Sequence, residues 1–171
     1  MRGVSHLPSD GVIRLDDFLS SDVPTLILAD QDFEHRRRFE VPLGFEPSIQ
    51  HAEQTLATWF RNQDAGLGWA LAVRDCVTDE ALGGCELRPS GTDAAQLSYW
   101  TYPAHRSRGI GTRAVALMCR WAFEQFRFER IELAIDCDNQ PSRMIALRNG
   151  FSECGLRDGR VRYVKERSGA G

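Results

Sequence analysis

The feature that most constrains this chain is the junction Arg106-Ser107-Arg108-Gly109-Ile110-Gly111. A strand-like stretch, Leu97-Ser-Tyr-Trp-Thr-Tyr102, precedes it, and a helix-like stretch from Thr112 to Phe126 follows. Beyond that, Ile131, Leu133 and Ile135 alternate with Glu132 and Ala134, the period of a second strand. Strand, loop, helix and strand in this order predict a crossover unit with two parallel strands. The loop is also chemically biased. Glycine lets a backbone approach a ligand closely and take positive φ without a Cβ clash. Unpaired N–H groups and the helix dipole favour an anion at the helix start. Arg106 and Arg108 add cationic donors. The junction therefore predicts a pocket for a phosphate-bearing ligand.

The rest of the chain supplies a framework for that unit. Val12 to Leu15 reads as a first strand. Ser20-Ser-Asp22 caps a helix through Val23 to Ala29, with Pro24 acceptable in its first turn. A second helical piece covers Asp32 to Phe39, and Pro42, Gly44 and Pro47 then break the chain. Ser48 caps a helix with Ile49, Ala52, Leu56 and Phe60 on one face. Strands follow at Gly68–Arg74, Leu82–Arg88 and Ala95–Tyr102. The helix after the glycine loop buries Val115, Met118, Trp121 and Ala122 and exposes Arg113, Arg120, Glu124 and Arg127. A short helix runs from Gln140 to Asn149, ended by Gly150 in a left-handed cap. Phe151–Leu156 and Arg160–Lys165 close a hairpin about Asp158-Gly159. The expectation is an α+β fold: a mixed, mostly antiparallel sheet flanked by helices. Residues 1–171 read as a single domain with its core over about 12–165 and loose ends at the first ten residues and at Ser168 to Gly171.

Several classes of function are excluded or disfavoured. A net charge of −3 gives no electrostatic case for nucleic acid or an anionic membrane surface. The run Arg36-Arg37-Arg38 is framed by Glu34 and Glu40 and reads as a solvated helix face. Five scattered cysteines without C-x-x-C spacing argue against disulfides or zinc and for a reducing cytoplasm. His6, His35, His51 and His105 have no metal-ligand spacing, so no metal is expected. No apolar run approaches the ~18 residues of a membrane span.

Three phosphate ligands suit a glycine loop. A nucleoside-triphosphate loop needs Lys-Ser/Thr after its second glycine, which is absent. An NAD(P)-binding reading is better placed, because Gly109-x-Gly111-x-x-Ala114 fits the dinucleotide fingerprint and Asp136 would take a ribose hydroxyl. Against it, Pro103 to Arg108 separate strand from glycine, two arginines crowd the pyrophosphate, and too little chain follows Asp136 for a doubly wound sheet. The third reading is a resemblance. Arg106, Gly109 and Gly111 match [RQ]-x-x-G-x-[GA], the acyl-CoA pyrophosphate loop of the GNAT superfamily, and Pro103 precedes it as in that family. Downstream, Asn139-Gln-Pro-Ser142 and Gly150-Phe151 resemble the family's Asn-x-x-[Ser/Ala] and its Gly-Phe ending. Ile13-Arg-Leu15, Asp32 to Phe39, Leu82-Gly-Gly-Cys-Glu-Leu-Arg88 and Leu97-Ser-Tyr-Trp100 resemble the branch of ribosomal-protein N-terminal (α-amino) acetyltransferases.

That resemblance implies a GNAT-like sheet whose middle strands splay apart. It implies an acetyl-CoA-dependent N-acetyltransferase acting on a primary amine, a protein N-terminus or a small molecule. Trp100, Thr101 and Tyr102 would give main-chain contacts to pantetheine, and Arg106, Ser107, Arg108, Gly109, Ile110, Gly111 and Thr112 would hold the pyrophosphate. Asn139 and Ser142 would flank the pantetheine arm, although Asn139 also suits a plain helix cap. Glu86 is the expected general base, with an ion pair to Arg88 as its other reading. The tyrosine acid of many superfamily members is replaced by Ala146, which leaves Ser142 or Tyr163 to serve the leaving thiolate. His105 reads as a surface residue beside phosphate or solvent, and Cys85 and Cys137 as core thiols. The acceptor pocket is expected from residues 32–47 and the loop from Arg88 to Ala94, where Asp32 and Glu34 either attract a cation or pair with Arg36 to Arg38. The missing tyrosine keeps a non-catalytic acyl-CoA-binding or sensing module as the alternative. A homodimer stays open.

Overall fold

The computed structural model describes residues 7–168. Its strands are β1 (Ile13–Asp17), β2 (Trp69–Asp75), β3 (Ala81–Ser90), β4 (Ala94–Thr101), β5 (Arg130–Asp136), β6 (Ser152–Arg157) and β7 (Arg160–Glu166). Its helices are α1 (Val23–Gln31), α2 (Phe33–Arg38), α3 (Ile49–Asp64), α4 (Ile110–Gln125) and α5 (Gln140–Arg148). The strands form one sheet in the order β1-β2-β3-β4-β5-β7-β6. Every neighbouring pair is antiparallel except β4–β5, the parallel pair joined through α4. The α+β sheet and its single crossover follow the expectation from sequence.

Helices cover both faces of the first half of the sheet. On one face Val115, Met118, Trp121 and Ala122 of α4 pack on Leu71, Val73, Cys85, Leu87, Leu97 and Ile131. On the other, Val23 and Leu26 of α1 and Ala52 and Leu56 of α3 pack with Phe18 on Ala70 and Ala72. A strand covered on both faces reads as a continuous apolar run, and β2 is buried from Trp69 through Arg74. Arg74 is tolerated there because both its Nη atoms meet Asp22, at 3.1 and 2.6 Å, on the segment leading into α1. The expected face of α3 is partly wrong. Ile49 and Phe60 are exposed, and Trp59 instead turns inward onto Phe18, with ring centroids 4.9 Å apart. The N-terminal end is also more tied than expected. Pro8 accepts from the Leu15 amide, and Asp10 caps Val12 and Ile13 and pairs with Arg113 at 2.7 Å. Residues 1–6 and 169–171 of the expected loose ends lie outside the described residues.

One irregularity positions the site. β4 pairs with β5 only at Ala94, Ala95 and Gln96, opposite Arg130, Ile131 and Glu132. Beyond that point β4 stays with β3 as far as Thr101, and β5 stays with β7 as far as Asp136. Each strand keeps its outer neighbour, so a wedge opens between them. This is the expected splay.

Candidate active site

A cleft of about 1010 Å³ occupies the wedge. Its walls are β4 and β5, the loop before α4, the start of α5 and, on the far face, α2. The Tyr102 amide donates to Leu82 of β3 at 2.9 Å. Main-chain groups alternate sides along an antiparallel strand. Trp100 therefore also turns its N–H and C=O to β3, while Tyr99 and Thr101 turn theirs into the wedge. Of the three residues expected to offer main-chain contacts, only Thr101 is oriented to do so; Tyr99 joins it, and Trp100 and Tyr102 do not. Tyr102 is buried and lies off the cleft wall. The Trp100 indole stacks with Phe18 and Trp59 over Gly84, where a Cβ would come within 2.3 Å of it.

The glycine loop is an array of free donors. Ser107 and Gly109 both take positive φ, 60° and 77°. Among the described residues, no acceptor is found for the backbone N–H groups of Ser107, Gly109, Ile110, Gly111 and Thr112, while Arg108 closes a turn about Arg106 and Ser107. The array sits at the start of the 16-residue helix α4, where an anion is favoured. The two arginines beside it are already engaged. Arg106 donates from Nε to the Thr101 carbonyl at 3.2 Å and from Nη2 to Asp32 at 2.6 Å. Asp32 thus meets the glycine loop, in place of the expected Arg36 to Arg38 or a ligand. Arg108 approaches His105 Nδ1 at 3.2 Å, and His105 Nε2 faces Glu80 at 3.3 Å. A guanidinium only donates, so Nδ1 accepts and the ring proton sits on Nε2. His105 is thus buried between two partners, not displayed on the surface as expected.

On α5, the Asn139 side-chain Oδ1 caps the helix by accepting from the Ser142 amide at 3.3 Å. Ser142 Oγ lies 2.5 Å from the Tyr99 hydroxyl, and both residues line the cleft. Burial pushes the Tyr99 hydroxyl up to about 12, so it stays protonated. Tyr163 is not brought to the cleft. It is buried beneath the sheet, accepts from Arg143 Nε at 3.0 Å and reaches Glu153 at 3.4 Å. Glu86 lies opposite Ser98 on the α2 side of the sheet, and Arg88 holds its carboxylate at 2.7 Å. Arg88 lines the cleft and Glu86 does not. Cys85 is a core thiol, pushed upward by burial, whereas Cys137 is exposed on a turn and donates to the Gly159 carbonyl. Among the described residues, no group of His, Cys, Asp or Glu is arranged to hold a metal ion.

The far side of the cleft is clasped by α2. Arg38 reaches Asp136 at 2.9 Å and Asp138 at 2.5 Å, and Arg37 reaches Asp138 at 2.7 Å. Arg160 of β7 adds Asp136 and Glu40, both at 2.9 Å. Hydrogen bonds from Arg38 and Arg37 hold the Asp138 carboxyl at about 2. Arg37 and Arg38 therefore tie α2 to the end of β5, and Arg36 donates to the carbonyls of Asp30, Pro42 and Phe45, so the run is not a solvated face. The same contacts occupy Asp136, the residue a dinucleotide site would need for ribose. His35 lines the cleft between Phe39 and Trp100, and burial lowers it to about 4, which keeps the imidazole neutral.

A sheet split at one parallel pair, with a donor-lined loop at the head of the crossover helix, defines an acyltransferase fold. Residues 13–152 match the family model for the Acetyltransferase (GNAT) domain, and the chain belongs to this family of acetyltransferases. Solved structures agree in fold. A Vibrio cholerae protein described as a ribosomal-protein-serine acetyltransferase superposes with a TM-score of 0.78 at 19% identity, covering 95% of this chain and 98% of that one. RimL, a ribosomal L7/L12 alpha-N-protein acetyltransferase solved with coenzyme A, gives 0.77 at 16%, covering 94% and 97%. Mycobacterium smegmatis RimJ, in complex with CoA-disulfide, gives 0.79 at 22%, covering 91% and 82%. A search of curated protein sequences gives no match. Among the described residues, no helix is long and apolar enough to cross a membrane.

Proposed function

We propose that this chain moves an acetyl group from acetyl-CoA to a primary amine by direct attack in a ternary complex. The observation that carries the reading is the wedge between β4 and β5, which opens beside five loop amides that have no acceptor among the described residues. Acetyl-CoA laid in the wedge would put its pyrophosphate on those amides. Its pantetheine amides would run along the main chain of Tyr99 and the Thr101 amide, the Thr101 carbonyl being held by Arg106. The acceptor would come from the far face, past α2, Trp100 and Arg88. Holding both reactants in line removes most of the entropic cost of a bimolecular step.

The acceptor we favour is a protein N-terminus, with a small amine as the other choice. An α-amino group, with a pKa of roughly 8, is neutral more often than a lysine at roughly 10.4, so it asks less of a base. The fold is shared with RimL, whose described substrate is the α-amino group of a ribosomal protein. Ser142 would donate to the leaving sulfur. Glu86 acts chiefly by fixing Arg88, so Glu86→Gln should alter acceptor KM more than the pH profile of turnover; a displaced profile would make Glu86 the base. The direct test measures thiol release from acetyl-CoA across peptides with different N-termini and a panel of small amines. Tight binding of acetyl-CoA with no acceptor-dependent thiol release would instead make the chain a non-catalytic acyl-CoA-binding module.

A further inference from the structure

The hydroxyls of Tyr99 and Ser142 meet at 2.5 Å on the cleft wall, from two different elements. Tyr99 stands on β4, its ring packed toward α4 and α5. Ser142 lies in the first turn of α5, with its amide held by Asn139. We propose that Tyr99 is a positioning residue that holds the Ser142 hydroxyl as a donor aimed at the thioester sulfur. The inference rests on the N-acetyltransferase reading above and adds a residue to it.

Relative acidity favours one direction for the bond. Each hydroxyl has one proton and two lone pairs. The phenol is the stronger acid of the two and therefore the better donor. Burial keeps it protonated, with its pKa raised to about 12. Among the described residues, neither hydroxyl has another side-chain partner. With Tyr99 donating into the serine oxygen, the serine proton is directed away from the ring and left for the cleft. The ring itself is fixed. A Cβ on Gly111 would lie 3.4 Å from Tyr99 Cε2 and 3.0 Å from Ile145 Cδ1, so the side chain is seated against the start of α4. The donor is thus oriented before the substrate arrives, the condition under which a hydrogen bond to developing charge counts most.

The step balances without a proton leaving Tyr99. The amine lone pair forms the C–N bond, and the C–S bond breaks with its electron pair going to sulfur. Ser142 donates a hydrogen bond to that sulfur. The proton shed by the acetylated nitrogen equals the one the thiolate finally gains.

The test is a double-mutant cycle in the full chain with acetyl-CoA and the best acceptor. Tyr99→Phe keeps the ring and should lower kcat about tenfold or more, with acetyl-CoA KM unchanged. The solvent isotope effect on kcat should change with it. Ser142→Ala should cost at least as much, and the double variant no more than Ser142→Ala alone. Should Tyr99→Phe also lower the thermal midpoint, Ser142→Ala provides the second arm, because its loss must reproduce the same kcat defect. Additive losses, a defect confined to acetyl-CoA KM, or full kcat in either single variant overturns the role of Tyr99 while leaving acetyl transfer intact. Absence of turnover in the unmodified chain across the amine panel sinks the underlying reading, and this one with it.

Discussion

Arg106 closes on Asp32 with Nη2 and Oδ2 2.6 Å apart, joining the start of the glycine loop to the cap of α2. The same carboxylate accepts from the His35 amide at 2.8 Å. Burial alone would raise the Asp32 carboxyl, but these hydrogen bonds outweigh it and hold it below the usual carboxylate range. Arg106 is therefore a strut that shapes the loop more than a free phosphate ligand. Asp32→Asn keeps a competent cap, since asparagine caps as well as aspartate, and removes only the charge. CoA affinity should weaken about threefold, the scale of a partly exposed pair. Arg106→Gln should do the same, and the two changes together no worse. Tighter binding by Asp32→Asn in calorimetry would show instead that Asp32 competes with the ligand for Arg106.

Gly109 and Gly111 fail in different ways when substituted. Gly109 has open space around a Cβ but sits at φ 77°, so Gly109→Ala strains the backbone by roughly 1 to 2 kcal/mol and turns the amide array. Gly111 has no such φ, but a Cβ there meets Ile145 at 3.0 Å and Tyr99 at 3.4 Å. Gly111→Val should push both side chains aside and abolish CoA binding while the fold survives. Calorimetry against CoA, paired with thermal melts, separates the cases. Undiminished affinity in both variants would move the phosphate site elsewhere.

The junction and the periodicities are legible in the sequence because they are local. Glycine at a helix start, alternation in β5 and the stripe of α4 each follow from neighbours in the chain. What escapes is long-range pairing. Nothing near Arg37 and Arg38 announces Asp136 and Asp138, and nothing near Arg106 announces Asp32. Tyr99 also escapes, although the strand period puts it on the face opposite Trp100, toward α5. The sequence places Trp100 to Tyr102 at the wedge but not the direction of their amides, which depends on the register of β4 against β3.

The α2 clasp should govern the acceptor and not the donor. Arg38 touches both Asp136 and Asp138. Arg38→Gln leaves Asp136 on Arg160 and Asp138 on Arg37 but loosens the tie. We expect acceptor KM to rise severalfold with acetyl-CoA KM unchanged, and the effect to shrink in salt as screening removes the pair from the parent chain. Equal changes in both KM values would mean that α2 shapes the whole cleft.

Arg74 and Asp22 form the tie that seats α1 on β2, with side chains only 4% and 6% exposed. Removing Asp22 leaves buried Arg74 with only the Asp16 carboxylate at 3.8 Å and the Asp17 carbonyl at 3.4 Å, which costs about 3 kcal/mol, the lower end for breaking a buried pair. Asp22→Ala should lower stability by that amount in urea unfolding with an unchanged m-value. A loss near zero would mean water reaches Arg74.

His35 gives the fold a pH dependence of known sign. Its imidazole stacks on Phe39 at 4.6 Å and meets the edge of Trp100 at 6.0 Å. Burial lowers its pKa from 6.5 to about 4, with the nearby Asp32 opposing and Arg106 reinforcing that change. Between those two values the unfolded chain binds the proton and the folded chain does not. Stability therefore rises with pH across that window, is complete above about 6.5, and is lost as pH falls toward about 4. The largest contribution is roughly 3 kcal/mol, because a tenfold change in proton affinity is worth about 1.4 kcal/mol. Carboxylates titrate in the lower part of the same window, so the comparison must be with a variant. His35→Phe keeps the aromatic packing and removes the proton site. Its stability should fall less steeply than the parent's from pH 6.5 to 4, and superimposable curves would mean that the ring is solvated when charged. The neutral imidazole also matters to the proposed chemistry: at working pH His35 adds no positive charge of its own against an incoming amine.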